Sequence, residues 1–370
     1  MESNNDQRIL VFIDWFRPAY KAGGPIQSVV NLVNKLQEFD FWICTSDKDI
    51  GSTSSLDNIA LNQWSNYSNN CQVIYISAEK RNKSFFSKIF NEVNPSVIYF
   101  NSMFSMHFTL MPYLTLKKKN TKLILAPRGM LGSGPLSSKA FKKKLFIQSS
   151  KITGLFKKVY WHVSSQIEAN DVKNSFGNSA KTIIAPNLSI SNKIGLKHSE
   201  KKVGTLNLFT ISRIARIKNI HRTLAFLKSK LNGEVHFHIY GPLEDDSYWK
   251  ECLHAISALP KNIRVIYHGE LHPNEVQQTI NAFHFLMMPT EHENYGHSIV
   301  ESFLACKPVI ISDQTPWKNL EKKNVGWEIP LGNPEKFVQV IQRALDMNQE
   351  DYSRMSENAL NYGNTISNDK

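Results

Sequence analysis

The chain is 370 residues long, 41% hydrophobic and 21% charged, which suits two globular domains and excludes a fibrous, disordered or low-complexity polymer. Its four cysteines (Cys44, Cys71, Cys252, Cys306) lack paired ligand spacing, which argues against zinc and a disulfide scaffold and for a reducing cytoplasm. The net charge of +12 sits in the first half: residues 1–190 hold 23 Lys+Arg against 12 Asp+Glu, the remainder 21 against 20. Such a field draws anionic membrane or polyanions. No nucleic-acid module accompanies it, so nucleic acid is not an expected partner.

Residues 1–6 are polar and acidic, unlike a signal peptide. Apolar runs then alternate with helical patterns from end to end, the mark of parallel sheets covered by helices. Strands are predicted at 8–13, 41–44, 73–76, 97–100, 122–126, 159–163 and 182–185, then at 206–211, 235–240, 263–267, 284–288 and 308–312. Cys44 and Cys306 fall in apolar patterns and read as small core residues. Residues 97–116 carry no Asp, Glu, Lys or Arg, but Asn101, Ser102, Ser105, His107, Thr109 and Pro112 dilute them. That stretch reads as a strand and a helix rather than a membrane span. A polar, Lys-rich stretch at 189–204 is the expected linker. The predicted division is an N-terminal Rossmann-like domain at 1–190 and a C-terminal Rossmann-like domain at 205–349. A last helix at 350–370 is expected to pack back on the first domain. Ligands of such sheets lie beyond the carboxyl ends of strands, where the following candidates fall.

After the first strand, Ala22-Gly23-Gly24-Pro25 lets backbone approach a ligand at a helix start. Asp47-Lys48-Asp49 has the form of a metal–nucleotide motif but stands far from any phosphate device, so no metal site is expected. Ala126-Pro127-Arg128-Gly129 ends another strand; as an arginine, Arg128 cannot be a general base, which leaves a binding, acceptor-side or structural role. His162 ends the next strand as a site or core histidine. Lys142, Lys143 and Lys144 lie among apolar residues in a helical stretch from Lys139, fitting an anionic lipid surface or a solvated basic face. In the second half, Ser212-Arg213-Ile214-Ala215-Arg216-Ile217-Lys218 follows a strand. There a guanidinium and an ammonium can neutralise a diphosphate. Glu244-Asp245-Asp246 reads as a helix start. Finally, Glu291-His292-Glu293-Asn294-Tyr295-Gly296-His297-Ser298 turns a loop into a helix whose N–H groups favour phosphate oxygens. Glu293 and Glu301 flank that turn.

The segment from Pro289 through Glu293 and Glu301 to Ile310 resembles the E-x7-E signature of retaining glycosyltransferases of the GT-B fold, in particular family 4. The resemblance implies an α/β, GT-B architecture: two doubly wound Rossmann-like domains facing a central cleft, with 1–190 on the acceptor side and 205–349 holding the nucleotide-sugar donor. It implies that Glu293 faces the donor sugar and Glu301 holds the ribose. Arg213 and Lys218 stabilise the leaving diphosphate; Gly296, His297, Ser298, Gly23 and Gly24 line the donor. Family members often carry His-Gly where this chain has Arg128-Gly129. The implied activity is metal-independent, retaining transfer from a nucleoside-diphosphate sugar to a glycan or lipid-linked glycan, without a cofactor. The expected setting is cell-surface polysaccharide, lipopolysaccharide or capsule synthesis, in the cytoplasm or peripherally on the membrane's inner face. The rivals are a sugar-nucleotide epimerase or hydrolase, which needs an acid/base carboxylate in the first domain, and an inactive membrane-associated scaffold.

Overall fold

The computed structural model describes residues 7–132, 140–189 and 199–368. The chain divides into two units, Met1–Leu188 and Ser189–Lys370. In the first, the strands are β1 (Arg8–Ile13), β2 (Asp40–Ser46), β3 (Trp64–Ser68), β4 (Cys71–Ile76), β5 (Val97–Asn101), β6 (Lys122–Ala126), β7 (Val159–Val163) and β8 (Lys181–Ile184). They form one sheet in the order β3-β4-β2-β1-β5-β6-β7-β8, parallel except for β3. The helices are α1 (Gly24–Lys35), α2 (Lys83–Val93), α3 (Met111–Leu116), α4 (Ala140–Ile152) and α5 (Gln166–Phe176).

Alternation along β1 explains why both faces are covered. Leu10 and Phe12 enter one core with Phe86, Phe100 and Trp161; Val11 and Ile13 enter the opposite core with Ile26, Val29 and Val33 of α1. The uncharged stretch after β5 forms a single π turn, Met106–Leu110, that runs into α3. Among the described residues, no helix is long and apolar enough to cross a membrane. All four cysteines are buried and free.

The second unit has six parallel strands: β9 (Thr205–Ile211), β10 (Glu234–Tyr240), β11 (Ile263–Tyr267), β12 (Phe285–Met288), β13 (Val309–Ser312) and β14 (Gly326–Ile329), in the order β11-β10-β9-β12-β13-β14. Its helices are α6 (Ile220–Leu227), α7 (Asp246–Ser257), α8 (Val276–Ile280), α9 (His297–Leu304), α10 (Pro334–Asp346) and α11 (Gln349–Asn368). Leu206, Leu208, Phe285 and Met287 face one core, Phe209, Leu286 and Met288 the other. The final helix, α11, lies against α9. Gly363 makes this approach possible, since a Cβ there would stand 2.9 Å from the Leu304 backbone nitrogen.

Each sheet reverses its strand order once beside its first strand: β1 pairs with both β2 and β5, and β9 with both β10 and β12. Such reversals open a crevice at the strands' carboxyl ends. Every chemistry-bearing segment described below leaves a strand at that end.

Candidate active site

The second unit's reversal is built by the loops after β9 and β12. The first holds a single 3-10 turn, Arg216–Lys218, then Asn219 in the left-handed region as the cap of α6. The second runs from Pro289 to Gly296. Glu291 N donates to Ile217 O at 2.8 Å, Thr290 Oγ1 to Ile217 O at 3.0 Å, and Asn219 Nδ2 to Pro289 O at 2.8 Å. These bonds hold the loops side by side and bring two predicted residues into contact. Lys218 Nζ donates to Glu293 Oε2 at 2.6 Å, with the side chains only 14% and 17% exposed. Burial alone would raise the Glu293 carboxyl. Lys218, assisted by His292 and His297, instead holds it below its ordinary range.

Gly296 adopts φ 80° and ψ 68° at the head of α9, with no side chain capping the helix. A Cβ at this position would stand 2.8 Å from Ile299 Cδ1 and 3.1 Å from Glu293 Cγ, so the turn demands glycine. In the first turn of α9, Ile299 N and Val300 N donate to Gly296 O at 2.9 and 3.2 Å, and the start of a helix of this kind favours an anion. His297 begins that helix with its ring edge-on to Tyr295, and the Ser298 hydroxyl points toward Met288. Glu301 is half-buried in the helix's second turn.

Arg213 is placed differently. Its guanidinium pairs with Glu244 on an exposed surface, while Ser212 N bonds Tyr240 O at 3.0 Å and Ile214 N bonds Pro242 O at 2.8 Å. A Cβ on Gly241 would collide with Ser212 O at 1.9 Å, so the segment after β10 sets the path of the Arg213 loop. Asp245, as expected, starts α7 by accepting from Tyr248 N at 2.9 Å. Its neighbour Glu244 is instead the partner of Arg213, a contact that sequence reading missed.

Among the described residues, three of the eight buried side-chain polar atoms without a hydrogen-bond partner lie at this reversal: Ser212 Oγ, Asn219 Oδ1 and His292 Nε2. Such atoms are uncommon in folded proteins and mark places where a ligand or water completes the bonding. Their only sequence signal was position beside Arg213, Lys218 and Glu293.

Residues 194–362 match the family model of glycosyl transferases, group 1. No curated protein sequence matches the chain. Among solved structures, sucrose-phosphate synthase from Thermosynechococcus elongatus aligns with a TM-score of 0.74 at 15% identity, covering 98% of this chain and 95% of that one. HepE of Anabaena, in complex with UDP and glucose, aligns with a TM-score of 0.72 at 14% identity, covering 97% and 95%. WaaG, a glycosyltransferase involved in lipopolysaccharide biosynthesis, aligns with a TM-score of 0.62 at 12% identity, covering 97% and 95%. The chain has the GT-B fold.

In the first unit of this GT-B chain, Gly23 caps α1 at φ 65° with open space around its Cβ position, and Gly24 begins the helix. Arg128 is committed internally. It donates to Asn101 Oδ1, to Asn187 Oδ1 and, at 2.9 Å, to the Tyr99 hydroxyl. Tyr99 bonds His162 Nδ1 at 2.8 Å, and His162 Nε2 meets Ala185 O at 2.9 Å. Because a carbonyl only accepts, Nε2 carries the hydrogen and Nδ1 receives the tyrosine's. Burial, aided by the Arg128 charge, pulls His162 down to about 4. It is a neutral link between strands.

Asp47 and Asp49 are also taken up internally. Asp47 pairs with Arg81 at 2.6 Å and accepts from Ser55, whereas Asp49 accepts from the backbone of Tyr20, Lys21 and Ile50. On α4, Lys142 and Lys144 are exposed, while Lys143 lies over the Phe104 ring at 5.6 Å. Lys139 lies outside the described residues.

Proposed function

We propose that this chain is a retaining, family-4-type glycosyltransferase that moves a sugar from a nucleoside diphosphate to an acceptor hydroxyl. The Lys218–Glu293 pair carries the reading: an ammonium and a carboxylate meet beside a helix start, at the strand-order reversal of the unit that matches group 1 glycosyl transferases. The unpartnered atoms of Ser212, Asn219 and His292 support a ligand there.

In this mechanism the donor phosphates lie against the first turn of α9, with Lys218 and Arg213 neutralising charge as the sugar–phosphate bond breaks. Glu293 accepts from donor-sugar hydroxyls and Glu301 from the ribose. The acceptor oxygen bonds the anomeric carbon on the face the diphosphate leaves, and its proton passes to a diphosphate oxygen. Carbon, oxygen and proton balance without a covalent enzyme intermediate. The cations do the work a metal would otherwise do, so transfer proceeds in EDTA. HepE was solved with UDP and glucose, which makes UDP the first nucleotide to try.

The test is thermal shift against UDP, GDP, ADP and CMP in EDTA. One diphosphate should stabilise the chain, and Glu293→Ala should abolish transfer with the fold intact. A flat response to every nucleotide would remove the donor site and favour an inactive scaffold.

The proposed setting is synthesis of a cell-surface or lipid-linked glycan on the cytoplasmic face of a membrane. Support comes from α4, where Phe141, Leu145 and Ile152 are 80%, 57% and 85% exposed on one helical stripe. Lys142, Lys144 and Lys151 flank that stripe, as in helices that lie at anionic interfaces. Replacing Lys142 and Lys144 by Glu should weaken binding to phosphatidylglycerol vesicles by about tenfold or more. Unchanged vesicle binding would refute the interfacial role.

A further inference from the structure

The first unit has its own strand-order reversal, between β1 and β5. Asp14 stands immediately after β1 at that point. Its backbone oxygen is held by Ser46 N at 3.1 Å and Thr45 Oγ1 at 3.3 Å. Ser105, beyond β5, donates its hydroxyl to Asp14 Oδ1 at 2.5 Å and accepts from Phe108 N at 3.0 Å. The serine's one hydrogen is therefore committed to the carboxylate. Among the described residues, no other side chain hydrogen-bonds the Asp14 carboxylate.

Two cationic or donor groups stand within electrostatic reach of it, His107 and Arg81. His107 is exposed on the π turn that follows Ser105, and such turns collect at functional sites. Arg81 is fixed by Ile76 O at 3.0 Å, Ser46 Oγ at 3.0 Å and Asp47 Oδ1 at 2.6 Å, and lies over the Phe108 ring at 5.4 Å. Its remaining terminal nitrogen has no hydrogen-bond partner among the described residues, and neither does the His107 ring. Burial raises the Asp14 carboxyl despite these neighbours, a sign that its charge is incompletely compensated.

One fixed acceptor beside two open nitrogen groups matches a pair of neighbouring hydroxyls, each of which both donates and accepts. It does not match a diphosphate, which a carboxylate repels. We propose that Asp14, Arg81 and His107 bind a vicinal hydroxyl pair of the acceptor sugar, with Ser105 as a positioning residue. This assignment rests on the transferase reading. It also locates a first-unit carboxylate, the group that an epimerase or hydrolase would require.

The experiment uses the full chain, UDP-, GDP- and ADP-hexoses as donors, and octyl and methyl glycosides of glucose, galactose, mannose and N-acetylglucosamine as acceptors. Asp14→Asn should raise the acceptor KM about tenfold or more, the loss expected for one hydrogen bond to a charged group. Nucleotide-induced stabilisation and acceptor-free release of nucleoside diphosphate should stay at wild-type levels. Ser105→Ala should raise acceptor KM with little change in kcat, and Ser105→Thr should restore it. Saturation-transfer NMR should detect methyl glycosides on the wild type and lose them on Asp14→Asn. An unchanged acceptor KM, or no NMR response from any glycoside on the wild type, overturns the acceptor site. Loss of acceptor-free release in Asp14→Asn also overturns it, by assigning Asp14 to chemistry on the donor. Failure of every nucleotide to stabilise the wild type, by contrast, removes the transferase reading itself.

Discussion

The two units share a topology but treat charge in opposite ways at their sheet ends. In the first, Arg128 has three committed bonds, Tyr99 and His162 continue the chain to Ala185, and buried Glu168 accepts from Gly129 N and Ser164 N. In the second, Lys218 and Glu293 hold chiefly each other, with unpartnered polar atoms alongside. A guanidinium bonded through each of its three nitrogens fastens loops. An ammonium held by one carboxylate can change partners. The difference separates residues that shape a site from residues that can serve it.

The sharpest way to break this contrast is to compare Glu293→Ala with Arg128→Met. The first should lower transfer by about a thousandfold or more, the scale of a lost transition-state interaction in a preorganised site, with nucleotide binding still measurable. Arg128→Met should leave the nucleotide-binding midpoint unchanged while costing about 2–3 kcal/mol of stability, because Asn101, Asn187 and Tyr99 lose a charged partner. Equal activity losses would erase the distinction.

Lys218→Ala tests the exchangeable pair. Breaking a largely buried pair costs about 3 kcal/mol, and chemical denaturation across pH reveals its source. In the wild type Lys218 holds Glu293 below its ordinary value of 4.5, so its contribution is full above that value and lost as pH falls through the folded one. Without Lys218, burial is the larger influence and the carboxyl rises. The gap between variant and wild type should therefore narrow in acid; a constant gap would mean the two do not couple.

Gly296→Ala should cost about 1–2 kcal/mol from the left-handed conformation alone, with added loss of activity because the new methyl crowds Glu293. A melting temperature equal to that of wild type would contradict the turn geometry.

The smallest effect concerns two buried histidines, one in each unit. His162 and His284 are each held to about 4 by burial. His284 Nδ1 accepts from Asn207 N at 3.0 Å and its Nε2 meets Glu200 O at 2.9 Å. The unfolded chain takes up protons near 6.5, which the folded chain refuses until about 4, so stability is complete above 6.5 and declines across that window. His162→Gln should flatten part of the decline; an unaltered slope would show that His162 is not buried neutral.

Strands were legible where apolar residues run unbroken, and β1, β6, β7 and β11 match their sequence-based bounds. Two were missed. The β3 strand, Trp-Ser-Asn-Tyr-Ser, is an antiparallel edge without an apolar face, and β14 is four residues opening on a glycine. The phosphate-side candidates were legible because each lies in one short segment. The contact between Lys218 and Glu293 was not, since it depends on β9 and β12 being neighbours. Asp14 escaped for the same reason: its serine partner is 91 residues away, and only strand order brings them together.

The Lys218–Glu293 contact also bears on selectivity. A solitary lysine beside a helix start would welcome any phosphate. Here an incoming anion must compete with a carboxylate already in place, and the displaced carboxylate must find hydrogen-bond donors. Inorganic phosphate, as a dianion, has little to offer it. On the proposed reading, a nucleotide that carries its sugar satisfies both halves at once, phosphates for the ammonium and hydroxyls for the carboxylate. The resting ion pair would then favour the intact donor over a bare nucleotide, and a bare nucleotide over inorganic phosphate.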